Sequence, residues 1–352
     1  MATGPVARPC VVGAGGVGQY NHTVRDIVRK TRHNCNRHRS TMIEIAASAA
    51  EPILTVVVPG NPGIDLFYRT FLALLAQKSP RFDLVCDSLR GFEEEEALAE
   101  AAESESGFGL QDQINHFVAL VRSRFDPKKH VGLIIMGHSV GAWIVQRVAC
   151  QVSTEDPKIP ISLVGLLTPT VKDIAKSPRG SYFTAMDKRI GYYAPSIVFT
   201  AVRVANWIPG FVPFVASRVS SRGAMLPHTA AGDAQDPSEG NMGAYDAVTR
   251  YATNPRMVRQ TVELAKEEMR AIASDPEPAA ISGFWKTLPI FGFFAKDDHW
   301  VAEETRKELF EEFGHLPNVH FVVKDAAHAF CIRENEKVVD ALFADLEGRK
   351  VV

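Results

Sequence analysis

This chain has almost no excess of positive or negative charge. It carries 39 Lys and Arg against 41 Asp and Glu, a formal net charge of −2. Such a balance offers no basic footprint for a polyanion, so nucleic acid is not an expected partner. Cysteine is sparse and scattered: Cys10, Cys35, Cys86, Cys150 and Cys331. Their number is odd and their spacing matches no metal-ligand pattern. That argues against a disulfide framework and a zinc site, and for reduced thiols in a cytosol-facing protein. No run of about 20 apolar residues is free of charge and proline, so a conventional spanning helix is not expected. The N-terminus lacks a long apolar stretch, so a secretory signal is not expected either. There is no internal repeat. What the chain does have is 46% hydrophobic residues over 352 positions, enough for a large core. Two domains, or one α/β domain with an insertion, fit that length.

The chain is organised around one stretch, Val131-Gly-Leu-Ile-Ile-Met-Gly-His-Ser-Val-Gly-Ala-Trp143. Leu133 to Met136 reads as a buried strand and Ala142 to Val152 as a helix. Between them stands Gly137-His-Ser-Val-Gly141, the G-x-S-x-G of a nucleophile elbow. Ser139 must sit on a sharp, strained turn with its hydroxyl pointing outward. Gly137 and Gly141 flank it because side chains there would collide across the turn.

Residues 1 to 50 read as a flexible extension. Gly13-Ala-Gly-Gly-Val-Gly18 matches the dinucleotide fingerprint G-x-G-x-x-G. A true fingerprint needs a full strand before it and an acidic residue about 20 positions on. Here a basic, polar stretch follows, Arg29 to Arg39, and no βαβ unit can be drawn. The basic cluster is expected to touch anionic headgroups at most. Leu54 to Val58 is a continuous β-branched strand that runs into Pro59-Gly-Asn-Pro-Gly63. A helix follows through Leu66, Phe67, Phe71, Leu74 and Leu75, then a strand near Phe82 to Cys86. The acidic run Glu93 to Glu96 reads as a solvated insertion. Gln111 to Phe125 is an amphipathic helix that leads to the nucleophile strand. Ile161 to Thr168 is the next strand. From Ser181 to about Phe284 the β/α alternation breaks, and the chain reads as helical or irregular. It resumes with strands at Leu288 to Phe294 and Val319 to Val323, and helices near Glu303 to Phe313 and Asn335 to Leu346. Alternating strands and helices predict a mostly parallel sheet covered on both faces, interrupted by an inserted helical lid.

A serine hydroxyl needs a base, and the base needs an orienting acid. After an elbow these follow in the order acid, then histidine, on loops after later strands. Lys324-Asp-Ala-Ala-His328 supplies the histidine at the carboxyl end of its strand. His320 lies inside that strand and His315 before it. Ala295-Lys-Asp-Asp-His-Trp-Val301 supplies two adjacent acids, of which one can face the histidine. Asp298 with Val301 fits the pattern of an acid, two residues and an aliphatic anchor, and Asp298 is favoured. Asp297 reads as a turn or cap residue but stays open. For the oxyanion hole, one amide is that of Val140. The other comes from Pro59 to Gly63, where Pro62 has no N–H, and Asn61 is favoured.

Val58-Pro-Gly-Asn-Pro-Gly-Ile64, Gly137-His-Ser-Val-Gly141, Leu167-Thr-Pro-Thr170 with Ser177-Pro-Arg-Gly180, and Ala327-His-Ala-Phe330 together resemble the lipid droplet-associated hydrolases. These are serine hydrolases of the α/β-hydrolase superfamily, and the resemblance covers about residues 52 to 347. It implies an α/β-hydrolase fold with Ser139, Asp298 and His328 as the triad. It implies association with lipid droplets and endoplasmic reticulum, and sterol esters or other neutral lipids as substrates. The chain departs from the pattern in its long N-terminus, in Glu93 to Glu105, and in Ala302 where a proline is usual. The resulting organisation is an extension (1–50), a core in two parts (51–180 and 285–352) and a lid (181–284). No metal or cofactor is implied. Two other readings are a droplet-coating protein with a vestigial site and a dinucleotide-dependent oxidoreductase acting through Gly13 to Gly18.

Ile190 to Val219 is the most apolar stretch of its length outside the strands, with Tyr192, Tyr193, Trp207, Phe211 and Phe214. Pro209 and Pro213 exclude a regular core helix. Arg203 at the centre of a spanning helix would cost about 3 kcal/mol. Lys188 and Arg189 precede the stretch; Arg218 and Arg222 end or follow it. Two short apolar halves with cationic ends predict a segment that enters a lipid surface and leaves on the same side. Trp207, Phe211 and Phe214 would make the lipid contact.

Overall fold

The structure, a computed structural model, describes residues 29–35, 38–93, 107–208, 211, 212, 214 and 242–352. Eight strands form one sheet: β1 (Arg29–Cys35), β2 (His38–Ile45), β3 (Ile53–Val58), β4 (Phe82–Cys86), β5 (Gly132–His138), β6 (Ile161–Leu167), β7 (Ile290–Ala295) and β8 (Val319–Lys324). Their spatial order is β1-β2-β4-β3-β5-β6-β7-β8. From β4 to β8 every pairing is parallel, while β1 and β2 add an antiparallel hairpin at one edge. β3, β5 and β7 are buried along their whole length, as their unbroken apolar runs require. β8, at the far edge, is more exposed and mixes His320 and Lys324 with valines.

The helices of the core are α1 (Arg69–Lys78), α2 (Leu110–Arg124) and α3 (Val140–Glu155). Four more, α4 (Pro178–Ile190), α5 (Ala194–Ala205), α6 (Met242–Thr253) and α7 (Pro255–Ala271), stand between β6 and β7. The rest are α8 (Phe284–Thr287), α9 (Glu303–Phe313), α10 (Phe330–Arg333) and α11 (Asn335–Gly348). α1 packs on α11, and α2 on α3, so the parallel strands are covered on both faces. Among the described residues of 181–284 there is no strand. The helical block begins three residues earlier than the sequence suggests. Ser177 caps α4 by accepting a bond from Gly180 N–H at 3.0 Å, and Pro178 takes the first turn, where no N–H is needed. None of the described helices is long and apolar enough to cross a membrane.

Two expectations are corrected. Residues 29–45 are not a loose tail: β2 pairs antiparallel with β4, with Ile43 opposite Cys86 and Ile45 opposite Leu84. Met42, Ile43 and Ile45 are buried in the core, and Glu44 pairs with Arg124 of α2. The polar, basic approach to Met42-Ile43-Glu44-Ile45 hid a strand whose partner lies some 40 residues away. Gly13 to Gly18 lies outside the described residues. Glu93 is not solvated either. It is buried, accepts the Gly91 amide at 2.6 Å and faces Arg90 at 3.3 Å, while burial raises its pKa. The rest of that acidic run lies outside the described residues.

Because β2 closes the β4 edge with buried side chains, Ile43→Ala should cost about 2–4 kcal/mol in urea unfolding. A mobile tail would give no change.

Candidate active site

The end of β5 turns into α3 within one residue. Ser139 holds φ 55° and ψ −122°, a left-handed conformation for a residue with a side chain. The turn closes only because its flanks are bare. A Cβ on Gly137 would lie 2.1 Å from the Gly141 carbonyl oxygen, and one on Gly141 would lie 2.5 Å from that of Pro59. The Ser139 amide donates to the Leu167 carbonyl at 3.0 Å, which ties the turn to the end of β6.

His328 lies on the loop after β8 and Asp298 on the loop after β7. His328 Nε2 is 2.9 Å from Ser139 Oγ, and its Nδ1 is 2.8 Å from Asp298 Oδ2. A carboxylate only accepts, so Nδ1 carries the proton and the Nε2 lone pair faces the serine hydroxyl. The other carboxylate oxygen, Oδ1, accepts the amides of Trp300 at 2.7 Å and Val301 at 3.2 Å. The sequence pattern of an acid followed three residues on by an aliphatic anchor is this turn, and Val301 is buried at its end. The structure thus brings Asp298, not Asp297, to the histidine; Asp297 is exposed. His320, inside β8, faces Asp345 at 2.8 Å, away from this site.

The two amides singled out from the sequence, Asn61 and Val140, have no hydrogen-bond partner among the described residues. The neighbouring Gly60 amide does: it donates to Tyr68 Oη at 2.9 Å. The Asn61 side chain is gripped from the inserted helices. Its Nδ2 donates to the Thr261 carbonyl at 3.0 Å and to Glu268 Oε1 at 2.9 Å, both on α7. Burial pushes the Glu268 carboxyl up to about 8; the bond from Asn61 opposes that shift and the nearby Glu267 adds to it. Trp207, Phe211 and Phe214 belong elsewhere. They are 86%, 40% and 57% exposed and follow α5 in the chain.

Four residues near the serine were missed in the sequence. Tyr68 and His138 were overlooked beside the apolar positions and glycines of their motifs. Thr168, at φ 40°, donates through Oγ1 to the His328 carbonyl at 3.0 Å. Glu268 sits among exposed-looking Lys, Glu and Arg of an amphipathic helix, and nothing local marks it as buried.

A six-stranded parallel core of this order, with a serine on a strained turn between strand and helix, is an α/β-hydrolase fold. Solved structures agree. A 2-hydroxy-6-oxo-6-phenylhexa-2,4-dienoate hydrolase from a Rhodococcus species superposes with TM-score 0.58 at 15% identity, covering 92% of this chain and 99% of that one. A bacterial membrane phospholipase A gives TM-score 0.58 at 13% identity, covering 93% and 88%. The model of the lipid-droplet associated hydrolase family matches residues 51–331, and the chain belongs to that family. Relatives that carry the name lipid droplet-associated hydrolase include the rat protein, 35% identical over 155 residues, 41% of this chain and 46% of that protein. The chicken protein is 23% identical over 301 residues, 83% of this chain and 84% of that one. The matches thus span less than half of the rat relative and most of the chicken one.

Glu268 yields a pH prediction. Its folded pKa lies above its unfolded value, so its contribution is fully present below about pH 4.5 and is lost as pH rises through about 8. Glu268→Gln, which cannot ionise, should melt higher than wild type at pH 9 and close to it at pH 5.

Proposed function

We propose that this chain is a serine hydrolase that cleaves carboxylic esters of apolar lipids, sterol esters or acylglycerols, at the lipid droplet surface. The observation that carries the reading is the continuous relay from Ser139 Oγ through His328 to Asp298, at 2.9 and 2.8 Å. Ser139 Oγ attacks the ester carbonyl while His328 Nε2 takes its proton. The carbonyl oxygen becomes an oxyanion between the amides of Asn61 and Val140, the latter at the N-terminus of α3. Asp298 holds the ring in the required tautomer and stabilises the imidazolium. As the tetrahedral species collapses, the alkoxide leaves with the proton from His328, and an acyl-enzyme remains on Ser139. Water then attacks with its proton passing to His328. Release of the carboxylic acid returns that proton to Ser139.

Ser139→Ala and His328→Ala should each abolish fluorophosphonate labelling while the protein stays folded. Labelling of His328→Ala at the wild-type rate would remove the base from this scheme. Asp298→Asn should lower turnover by about 10⁴-fold, with Asp297→Asn doing far less. A wild-type chain that stays unlabelled would instead favour a droplet-coating role.

For localisation, we propose the droplet monolayer and the cytosolic face of the endoplasmic reticulum membrane. Support comes from the family, from the exposed aromatics after α5, and from Lys188 and Arg189, which precede the apolar stretch in sequence. Rings of this kind settle at a lipid interface while cationic stems reach the headgroups. Changing Trp207, Phe211 and Phe214 together to Ser should release the protein from droplets into the cytosol, and Ser139→Ala should not. A folded triple variant that stays on droplets would place the anchor elsewhere.

A further inference from the structure

We propose that Tyr68 and His138 are positioning residues that tie the oxyanion loop to the loop of the catalytic histidine. The proposal rests on the serine-hydrolase reading above. Tyr68 ends the short 3₁₀ turn Asp65–Tyr68, and His138 is the last residue of β5, directly before the nucleophile. Both are buried. Three contacts run in series. The Gly60 amide donates to Tyr68 Oη at 2.9 Å. Tyr68 Oη lies 2.6 Å from His138 Nδ1. His138 Nε2 lies 2.9 Å from the His328 carbonyl oxygen.

The chemistry of the partners fixes where each proton sits. A carbonyl oxygen can only accept, so His138 Nε2 carries hydrogen. Burial, reinforced by the nearby His328, holds the His138 pKa down at about 3, so the ring is neutral. Nδ1 is therefore an acceptor, and the Tyr68 hydroxyl donates to it. The Gly60 amide donates in turn to the same hydroxyl oxygen. The neutral tautomer satisfies all three contacts, and the Cys331 side chain is a further hydrogen-bond partner of the Tyr68 hydroxyl. A neutral ring also matters for catalysis. The His138 and His328 rings lie 5.3 Å apart, and a permanent cation at His138 would oppose the imidazolium that forms at His328.

The tie joins the parts that must act together. Gly60 precedes Asn61, whose free amide is the oxyanion donor. The bond to Tyr68 takes the Gly60 amide and holds the loop. His138 precedes Ser139. The His328 carbonyl belongs to the base itself, and Thr168 Oγ1 donates to it as well, at 3.0 Å. Two side chains thus set the spacing of oxyanion donor, nucleophile and base. Neither touches the reacting atoms, so the expected signature is a loss in turnover rather than in substrate binding.

The test is steady-state hydrolysis of a water-soluble p-nitrophenyl ester by the full chain, read together with melting temperature. Tyr68→Phe removes one oxygen atom from the tie. It should lower kcat on the order of 10- to 100-fold, with KM within about threefold of wild type. The His138 pair separates positioning from packing. Glutamine offers one acceptor and one donor, as the neutral ring does, and His138→Gln should keep kcat within about threefold of wild type. His138→Phe fills the space without either and should fall to the Tyr68→Phe level. If Tyr68→Phe does not fold, the ratio between the two His138 variants decides alone. Equal losses in His138→Gln and His138→Phe, or a folded Tyr68→Phe with kcat within about twofold of wild type, would overturn the tie. If wild type neither hydrolyses the ester nor reacts with fluorophosphonate, it is the serine-hydrolase reading that has failed.

Discussion

The backbone at Ser139 is held where a side chain is unwelcome, at φ 55° and ψ −122°. A conformation of this kind costs on the order of 1–3 kcal/mol and persists only when its surroundings over-determine it. Here they do. β5 is buried along its length, and α3 packs against it through Ala142, Ile144, Val145 and Val148. Two bare glycines let the backbone of the turn cross within van der Waals range. The strain lifts the serine hydroxyl out of the sheet, at the amino end of a helix. In the proposed mechanism an oxyanion formed beside it would meet the N–H groups of Asn61 and Val140, which have no hydrogen-bond partner among the described residues.

The parallel sheet then decides where the partners come from. In a parallel sheet all strands end on the same side, so the loops after β3, β5, β7 and β8 converge there. Each carries one residue of the proposed machinery: Asn61, Ser139, Asp298 and His328. A loop is a poor platform unless its geometry is fixed, and hydrogen bonds hold each of these in place. Asp298 is held by two amides of its own turn. The His328 carbonyl takes bonds from His138 and Thr168. Asn61 is held by Thr261 and Glu268 of α7. That last contact gives the inserted helices a part in the site: they grip the loop that carries Asn61.

How far the sequence reveals this depends on range. The elbow, the three strands around it and the acid turn after β7 are local patterns, and the residues Gly137 to Gly141 and Asp298 to Val301 declare them. The sheet order and helical insertion follow from alternation of apolar runs. The hairpin of β1 and β2 does not, because its sequence is largely polar and basic and its place is set by the pairing of β2 with β4. Glu93 and Glu268 are illegible for a related reason. Each is a carboxyl in a charged neighbourhood of sequence, and only the folded chain turns it inward onto an amide or an asparagine. Tyr68 and His138 stand in or beside conspicuous motifs, yet their outer partners, Gly60 and His328, lie on two loops far apart in sequence.

The central claim is that the acyl group passes through Ser139. Rapid acid quench of a single turnover with a sterol ester or acylglycerol, followed by mass spectrometry of the peptide that contains Ser139, tests it directly. This peptide should transiently gain the mass of the acyl chain in wild type and never in Ser139→Ala. Free acid produced at the wild-type rate with no acyl mass on that peptide, or by Ser139→Ala, would contradict it.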